Sequence, residues 1–540
     1  MCGLAAGAVA LVTAQVGGTL VPGARPPLQS LGDFVIRVTP VSVTEALIRQ
    51  VGHYDKLVLL VCILVVASLA AAAVGLRFAR GQVRQALVGI GLLAVLPALA
   101  AYGEARSAVA RELLVLLPSA ALGAAVLWAL GRHLISTAAA PPPTATPELP
   151  TETTRGPGGR VRKSTASRQV DRARQAAVEH AALDWASRGI QRRTLLRAAL
   201  VVTACAVAGP AVVRKLSRPS LALMSRLRAA LPLPTTTLAP LIDEFAAFGA
   251  SPLTTPLSDF YRIDTALDPP QVDPGTWTLT LSRDGKTLRS YSYDDLLARA
   301  TSQADITIGC VSNEIGGDLI GSARWQGVLL ADLLKDVGAT GTGRVAGVSV
   351  DGFVASFHGA LAFDGRPAMV AVGMNGQPLP VKHGFPARLV VPGLYGYTSA
   401  TKWLQQIDVS DSADLPGFWA DRGWAPNVTV HVTSRIDSPR DHATIAAGNA
   451  KLAGIAWAPV AGVGTVRVQV NDGPWRSARL SSAVAGTLWR QWVLDWQPTH
   501  GTHTVRVRAT DATGRAQDTR HRPVFPSGAT GLHQITITAR

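Results

Sequence analysis

Cysteine is nearly absent from this chain, with four in 540 residues: Cys2, Cys62, Cys205 and Cys310. The first three fall in long apolar segments, so no disulfide can form within the polar half, and a lone thiol there needs another reason to exist. Lysine is as scarce: 8 of the 52 basic residues are Lys and the rest are Arg. Acidic side chains number 36, which leaves a formal charge of +16. Such an excess can mark a nucleic-acid surface. Here much of it flanks apolar runs, where membrane topology explains it better, and no nucleic-acid partner is expected. A chain of 540 residues exceeds one hydrophobic core, so two or three domains are expected.

Long apolar runs are what the first half does have. Met1–Ala24, Leu57–Leu76, Gln85–Gly103 and Leu113–Gly131 carry no charged side chain, and a bilayer needs about 20 such residues per helix. A fifth run, Ala198–Val213, is shorter. The connections 77–84 and 132–194 hold three and eleven basic residues, against four in 22–56 and two in 104–112. The positive-inside rule then makes residues 1–213 a membrane region of about five helices, with the chain beyond 213 outside the cytoplasm. Arg214, Lys215 and Arg218 run against that orientation. Residues 138–190, rich in Pro, Thr and Gly, read as a disordered cytoplasmic linker. Gln191–Arg197 (QRRTLLR) resembles a twin-arginine export signal, although plain anchoring explains the same arginines.

Residues 214–250 read as a tether, 251–425 as a mixed α/β domain, and 427–540 as an all-β module. Trp277–Ser282 alternates into an Asp284-Gly285 hairpin turn, and Ala304–Gly309 reads as a strand ending at Cys310. Asp294–Ala300 and Val328–Val337 read as helices; Met369–Val372, Ala387–Val391 and Trp403–Val409 read as strands. Beyond 427, Val428–Val432, Val466–Val470, Trp492–Trp496 and Val505–Ala509 alternate at the spacing of an immunoglobulin-like sandwich.

Two places carry chemistry. Cys310 stands at a strand end opening into a Gly-rich loop; a thiolate is a ligand for soft metals, while an inert core cysteine is the bland reading. His383, Arg388 and Lys402 lie within twenty positions of one another, among Ser399, Thr401 and glycines. Such a set suits a phosphate-bearing ligand, or else is a solvated pair of loops.

Gly-Cys-x-x-Asn at Cys310, Ala-Arg-Trp-x-Gly-Val at 323–328, His-Gly-Phe-Pro-x-Arg at 383–388 and Thr-Lys-Trp-Leu at 401–404 stand in one order. Over about 250–410 that order resembles the sulfite oxidase family. The resemblance implies an α+β molybdopterin-binding domain and an oxidoreductase using molybdenum cofactor. It makes Cys310 the thiolate on molybdenum and the catalytic metal ligand. His383 and Arg388 would contact the pterin and its phosphate, and Thr401 (or Ser399 in its place) with Lys402 would close over the phosphate. Tyr261, Arg262 and Asp351 would add cofactor contacts. Asp-Gly-Pro-Trp at 472–475, Trp489-x-x-Trp492 and Ala-Thr-Asp-x-x-Gly at 509–514 resemble that family's dimerisation domain, which implies a homodimer. The helical front end resembles the membrane part of a bacterial subgroup.

Two departures bear on substrate. The family places an arginine five positions after the metal-binding cysteine, and here that residue is Ile315, with Arg324 a candidate substitute. The apolar runs also hold no histidine pair at haem-ligand spacing, so an external electron carrier, a quinone or cytochrome, is expected. The expected function is a multi-pass, membrane-anchored, extracytoplasmic enzyme performing two-electron oxygen-atom transfer on a small sulfoxide or sulfite. The rival is a cofactor-free membrane-tethered adhesion or scaffold protein.

Overall fold

The structure is a computed structural model describing residues 2–20, 26–39, 43, 55–80, 82–101, 106–138, 231–235, 237–266, 269–426 and 428–540. The fifth apolar run, the QRRTLLR segment and nearly all of the 138–190 linker lie outside the described residues. The chain divides into two compact units, Met1–Pro219 and Ser220–Arg540.

The described residues of the first unit are helical: α1 (Cys2–Leu20), α2 (Pro27–Val38), α3 (Asp55–Ala79), α4 (Val83–Ala101) and α5 (Arg106–Ala138). Proline within the first turn of α2 suits a position whose N–H has no helical acceptor. Small residues let the helices approach closely. A methyl group on Gly3 would sit 2.2 Å from the Ala71 carbonyl oxygen, and one on Gly123 2.8 Å from the Ala10 Cβ. Val58–Ala79 is long and apolar enough to cross a membrane. The other three apolar runs on described residues give shorter apolar helices, Gly3–Gly18, Val83–Pro97 and Leu113–Ala129.

The second unit begins with two sheets. Strands β1 (Thr278–Arg283) and β2 (Lys286–Ser292) form a hairpin on Asp284 and Gly285, both at positive φ, as a two-residue Asp-Gly turn requires. Helix α6 (Tyr293–Arg299) starts with a capping box: the Ser292 hydroxyl accepts from Asp295 N–H, and the Asp295 carboxylate accepts from Ser292 N–H. There follow β3 (Ser302–Gly309), β4 (Ile320–Leu329), α7 (Leu330–Lys335), β5 (Arg344–Ser349), β6 (Val354–His358), β7 (Met369–Met374), β8 (Gln377–Pro378), β9 (Arg388–Val390), α8 (Gly396–Ser399) and β10 (Leu404–Ser410). One sheet runs β2-β1-β10-β5-β6, with β1 and β10 parallel. The other runs β3-β4-β7-β8, with β9 on β7. A shared core including Leu279, Ile306, Trp325, Leu333, Phe357 and Leu389 lies between them. The helix expected from Val328 begins at Leu330, because Val328 and Leu329 complete β4.

The rest of the unit is β: β11 (Thr433–Ser438), β12 (Thr444–Ile445), β13 (Ala450–Trp457), β14 (Val463–Val470), β15 (Arg476–Ser477), β16 (Arg479–Leu480), β17 (Arg490–Trp496), β18 (Gly501–Asp511) and β19 (His533–Ala539). They pair as β11-β13-β17-β16 and β12-β19-β18-β14-β15. Leu452 and Trp492 from the first sheet and Val468, Val507 and Ile537 from the second fill one core. The strand expected at Val428–Val432 is reduced to a single bridge, Thr429 to Leu394, and pairing starts at Thr433.

These sheets are locked to the preceding ones. Thr307 N–H donates to the Thr487 carbonyl (3.0 Å), the Thr487 hydroxyl to the Asp305 carbonyl (2.6 Å), and Trp489 N–H to the Thr307 hydroxyl (3.0 Å). Arg435 on β11 donates to the Gly317 carbonyl at 2.8 Å, and the His533 ring lies where a side chain on Gly316 would be. The stretch 231–250, read as tether, is laid along both halves. Pro232 O accepts from Gln326 at 2.7 Å, Ala239 O accepts from Arg324 at 2.7 Å, and Phe245 packs with Ala453 and Val493.

Gly327 marks the tightest crossing in β4, where an added Cβ would lie 2.1 Å from the Val370 carbonyl oxygen and 2.7 Å from the Ala371 Cα. Both neighbours are backbone of β7, so neither can move aside. Gly327→Ala should lower stability by about 2 kcal/mol, read as a lower thermal midpoint of the full-length protein.

Candidate active site

Cys310 follows the last residue of β3, a strand buried over its final six positions. Its N–H donates to the Leu319 carbonyl (2.9 Å), and its own carbonyl accepts from Asn313 N–H (3.1 Å). The Asn313 side chain accepts from Leu319 N–H at 2.8 Å, so the asparagine of the Gly-Cys-x-x-Asn motif closes the loop that presents the thiol. Burial pushes the Cys310 thiol up; the N–H and hydroxyl of Ser312 and the charge of Lys402 work in the opposite direction.

His383 and Arg388 arrive from the turn before β9. Gly384 between them is at φ +115°, a conformation open to glycine, and a Cβ there would press on Lys402 Cα at 3.2 Å. His383 is wholly buried, edge-on to Phe260. Its Nε2 lies 3.4 Å from the Leu257 carbonyl, while Nδ1 is buried with no protein partner. Burial first, then Arg388 and Lys402, pull its pKa down to about 4, so the ring is neutral.

Arg388 is 2 % exposed and stacks over the Trp325 indole, 5.0 Å from the ring centroid. It donates to the carbonyls of His383 (3.1 Å), Ala400 (3.4 Å) and Leu389 (3.5 Å). No carboxylate pairs with it among the described residues, and burial pulls it down to about 10. A sealed, unpaired guanidinium calls for an anion.

Lys402 is tied to the Asp264 carboxylate and donates to the Ile263 carbonyl at 3.2 Å. Burial, against the pull of Asp264, brings it down to about 8. The other oxygen of Asp264 accepts from Arg262 at 2.5 Å. Burial pushes this carboxyl up, but the two cations outweigh it and hold the group below its usual range. Tyr261 stacks on Phe260, and burial and then Cys310 push its phenol up. The Thr401 hydroxyl donates to the Gly347 carbonyl (3.4 Å) and the Ser399 hydroxyl to the Tyr395 carbonyl (3.1 Å); both side chains are buried beside the Arg388 contacts.

Cys310, Tyr261, His383, Arg388 and Lys402 thus influence one another electrostatically in one site, with Ser399 and Thr401 in the wall around it. Asp351 stands apart from that group: its carboxylate accepts from Phe353 N–H at 3.1 Å and closes the β5–β6 turn. Arg324 is no substitute for an arginine at 315. Its guanidinium is paired with Asp305 across β3 and β4, at 2.8 and 2.9 Å, and tied to the 231–250 stretch. Asp264 and Tyr395 are site residues the sequence reading passed over. Burial, and then Cys310 against the His431 N–H, leave the Tyr395 phenol at about 12.

The described residues hold no cluster of three or more His, Cys, Asp or Glu side chains placed for a metal ion. Cys310 can give one bond, and a metal there would take its remaining ligands from a prosthetic group. The residues fit such a group. A buried thiol, an orphaned imidazole nitrogen and an unpaired buried guanidinium are what a metal-bearing, phosphate-bearing cofactor would satisfy.

The neutral His383 makes the fold acid-sensitive. An unfolded histidine takes up a proton near pH 6.5 and this one near 4, so in that window the unfolded chain binds the extra proton. The contribution is complete above pH 6.5 and is lost as pH falls toward 4. Thermal midpoints of the cofactor-free protein should fall across that range, and His383→Gln should flatten the decline.

The oxidoreductase molybdopterin binding domain family matches residues 266–419, a span that includes Cys310, His383, Arg388 and Lys402. Human mitochondrial sulfite oxidase is 31% identical over 273 residues, covering 42% of this chain and 50% of that one. An uncharacterized oxidoreductase of Bacillus subtilis, YuiH, is 29% identical over 143 residues, covering 25% of this chain and 64% of that one. The sulfane dehydrogenase SoxCD structure from Paracoccus pantotrophus aligns at 21% identity with a TM-score of 0.44, covering 51% of this chain and 80% of that one. The chain spans about half the length of the sulfite oxidase relatives it matches first. Residues 266–419 thus form a molybdopterin-binding oxidoreductase domain, and the chain around it is similar to the sulfite oxidases.

Proposed function

We propose that this protein is a membrane-anchored oxidoreductase, its catalytic body outside the cytoplasm, that transfers an oxygen atom to or from a small neutral substrate of the sulfoxide type. The observation that carries the cofactor assignment is Arg388: a buried guanidinium without a carboxylate, beside an unpartnered His383 Nδ1 and 2 % exposed. Molybdenum cofactor supplies the two-electron chemistry when bound. Cys310 holds the metal. Arg388 and Lys402 bind the phosphate as cationic hydrogen-bond donors, with Thr401 or Ser399 beside them. The neutral His383 offers Nδ1 to the pterin edge, and Tyr261 and Arg262 border the same group. Asp351 keeps its place in this assignment through its turn, whose Val350 N–H donates to the Trp403 carbonyl at 2.9 Å.

The neutral substrate follows from the residues around the thiol. Ile315 stands where an anion-holding arginine would, Arg324 is spent on Asp305, the Ser312 hydroxyl and the phenols of Tyr261 and Tyr395 are neutral, and the charge of Lys402 is already met by Asp264. The apolar α3 supports anchoring, and the positive-inside pattern supports the orientation. The two facing C-terminal sheets are read as an immunoglobulin-like module that pairs two chains. Electrons pass to or from a separate quinone or cytochrome. Retention of Cys310, Arg388 and Lys402 in one buried site leaves the cofactor-free scaffold without support.

Molybdenum and released pterin should be measured in purified wild type beside Cys310→Ala and Arg388→Gln, from a host able to make the cofactor. About one molybdenum per chain is expected in wild type, with about a tenfold loss of bound pterin in Arg388→Gln. Wild type free of metal would sink the assignment. With loaded enzyme, turnover of methyl sulfoxides above that of sulfite is expected, and the reverse preference would refute the neutral pocket.

A further inference from the structure

Lys402 has three N–H donors, and each has a protein acceptor: the Asp264 carboxylate, the Ile263 carbonyl and, at 3.5 Å, the Lys382 carbonyl. Arg388 has five donors and spends three on the Leu389, His383 and Ala400 carbonyls, so it can meet an incoming anion at once. Lys402 cannot do so without leaving one of its acceptors. Asp264 is itself sealed, with a side chain 1% exposed, and both its oxygens are taken, one by Lys402 and one by Arg262. Three cations and one carboxylate therefore share this corner, for a net charge of two positive.

We infer that Asp264 is a place-holding anion: it occupies Lys402 while the site is empty and surrenders it to the phosphate monoester of the cofactor. The inference rests on the reading of Arg388 and Lys402 as the phosphate cradle. A buried ammonium without a counter-ion is strongly destabilising, so the carboxylate lets the site fold before any cofactor arrives. It also sets a threshold. A singly charged anion offers Lys402 no more than Asp264 already does, whereas a phosphate dianion that has engaged Arg388 brings the second charge needed to draw Lys402 away. Asp264 then keeps Arg262 as its partner. In this role Asp264 is a positioning residue that selects for dianionic phosphate and touches no reacting atom.

The test uses full-length, cofactor-free protein in detergent, titrated with inorganic phosphate at pH 7, below the value of about 8 at which Lys402 loses its proton, by calorimetry and by thermal melting. Asp264→Asn should bind phosphate about tenfold tighter than wild type, because Lys402 is released and no competing charge remains. Without phosphate it should melt below wild type, and saturating phosphate should close that gap. Asp264→Glu, which keeps the charge, should retain wild-type affinity and controls for folding. A merely structural aspartate would lower the midpoint without raising affinity. Equal or weaker phosphate binding by a folded Asp264→Asn, with Arg388→Gln binding none, would overturn the place-holder alone. Phosphate binding unaffected by Arg388→Gln would overturn the cradle beneath it, and with it the phosphate part of the proposed function.

Discussion

A guanidinium enclosed by protein, facing three carbonyl oxygens and an indole but no carboxylate, is a constraint that everything near it must meet. Carbonyl dipoles and a ring face share the charge of Arg388 without cancelling it. Keeping it buried requires that the surrounding backbone be held at fixed distance. Here that backbone is the His383 turn, the Ala400 segment and the start of β9. Gly384 makes the approach of Lys402 possible, and Trp403, at φ +47°, carries its indole N–H to the Val381 carbonyl at 2.8 Å. A strained residue held by its own side chain fits a segment that must stay in place whether or not a ligand is present.

The thiol side is built on a different device. Cys310 sits where a fully buried strand ends, and its loop is closed by Asn313 and pinned from outside by β11 and β19. The cation side comes from the turn between β8 and β9, the start of β9 and the turn before β10. Two sheets that share one core thus bring together residues separated by more than a hundred positions, from Tyr261 to Lys402.

Much of this was legible from the residues alone, and the failures have physical causes. The Asp284-Gly285 hairpin, the strand into Cys310 and the Lys382–Arg388 cluster carry local signals: turn chemistry, a short apolar run, clustered cations. Strand β4 hides because Gly321, Gly327 and Arg324 interrupt its apolar pattern while both its faces are buried, so neither period two nor charge marks it. Asp264 is hidden in the sequence because an acid beside an arginine reads as a surface pair; its partner in the site, Lys402, lies 138 positions away. Arg324 had the right charge for an anion site, but its cross-strand partner Asp305 could be recognised only once β3 and β4 were in register. The stretch 231–250 has the composition of a tether, and its backbone carbonyls, which composition does not describe, are what dock it.

The contacts of Arg435 and His533 with Gly317 and Gly316 make the two halves of this body one inheritance. In a modular chain, a β appendage can be exchanged or discarded and the catalytic half survives unchanged. Here the wall of the thiol loop is furnished by residues that lie 125 and 223 positions after Cys310, so a drift in the C-terminal sheets is felt at the thiol loop. Change in substrate preference need not originate among the cofactor-binding residues at all. It can be written at the far end of the chain, in strands that contribute no ligand and yet decide how the loop around the thiol stands.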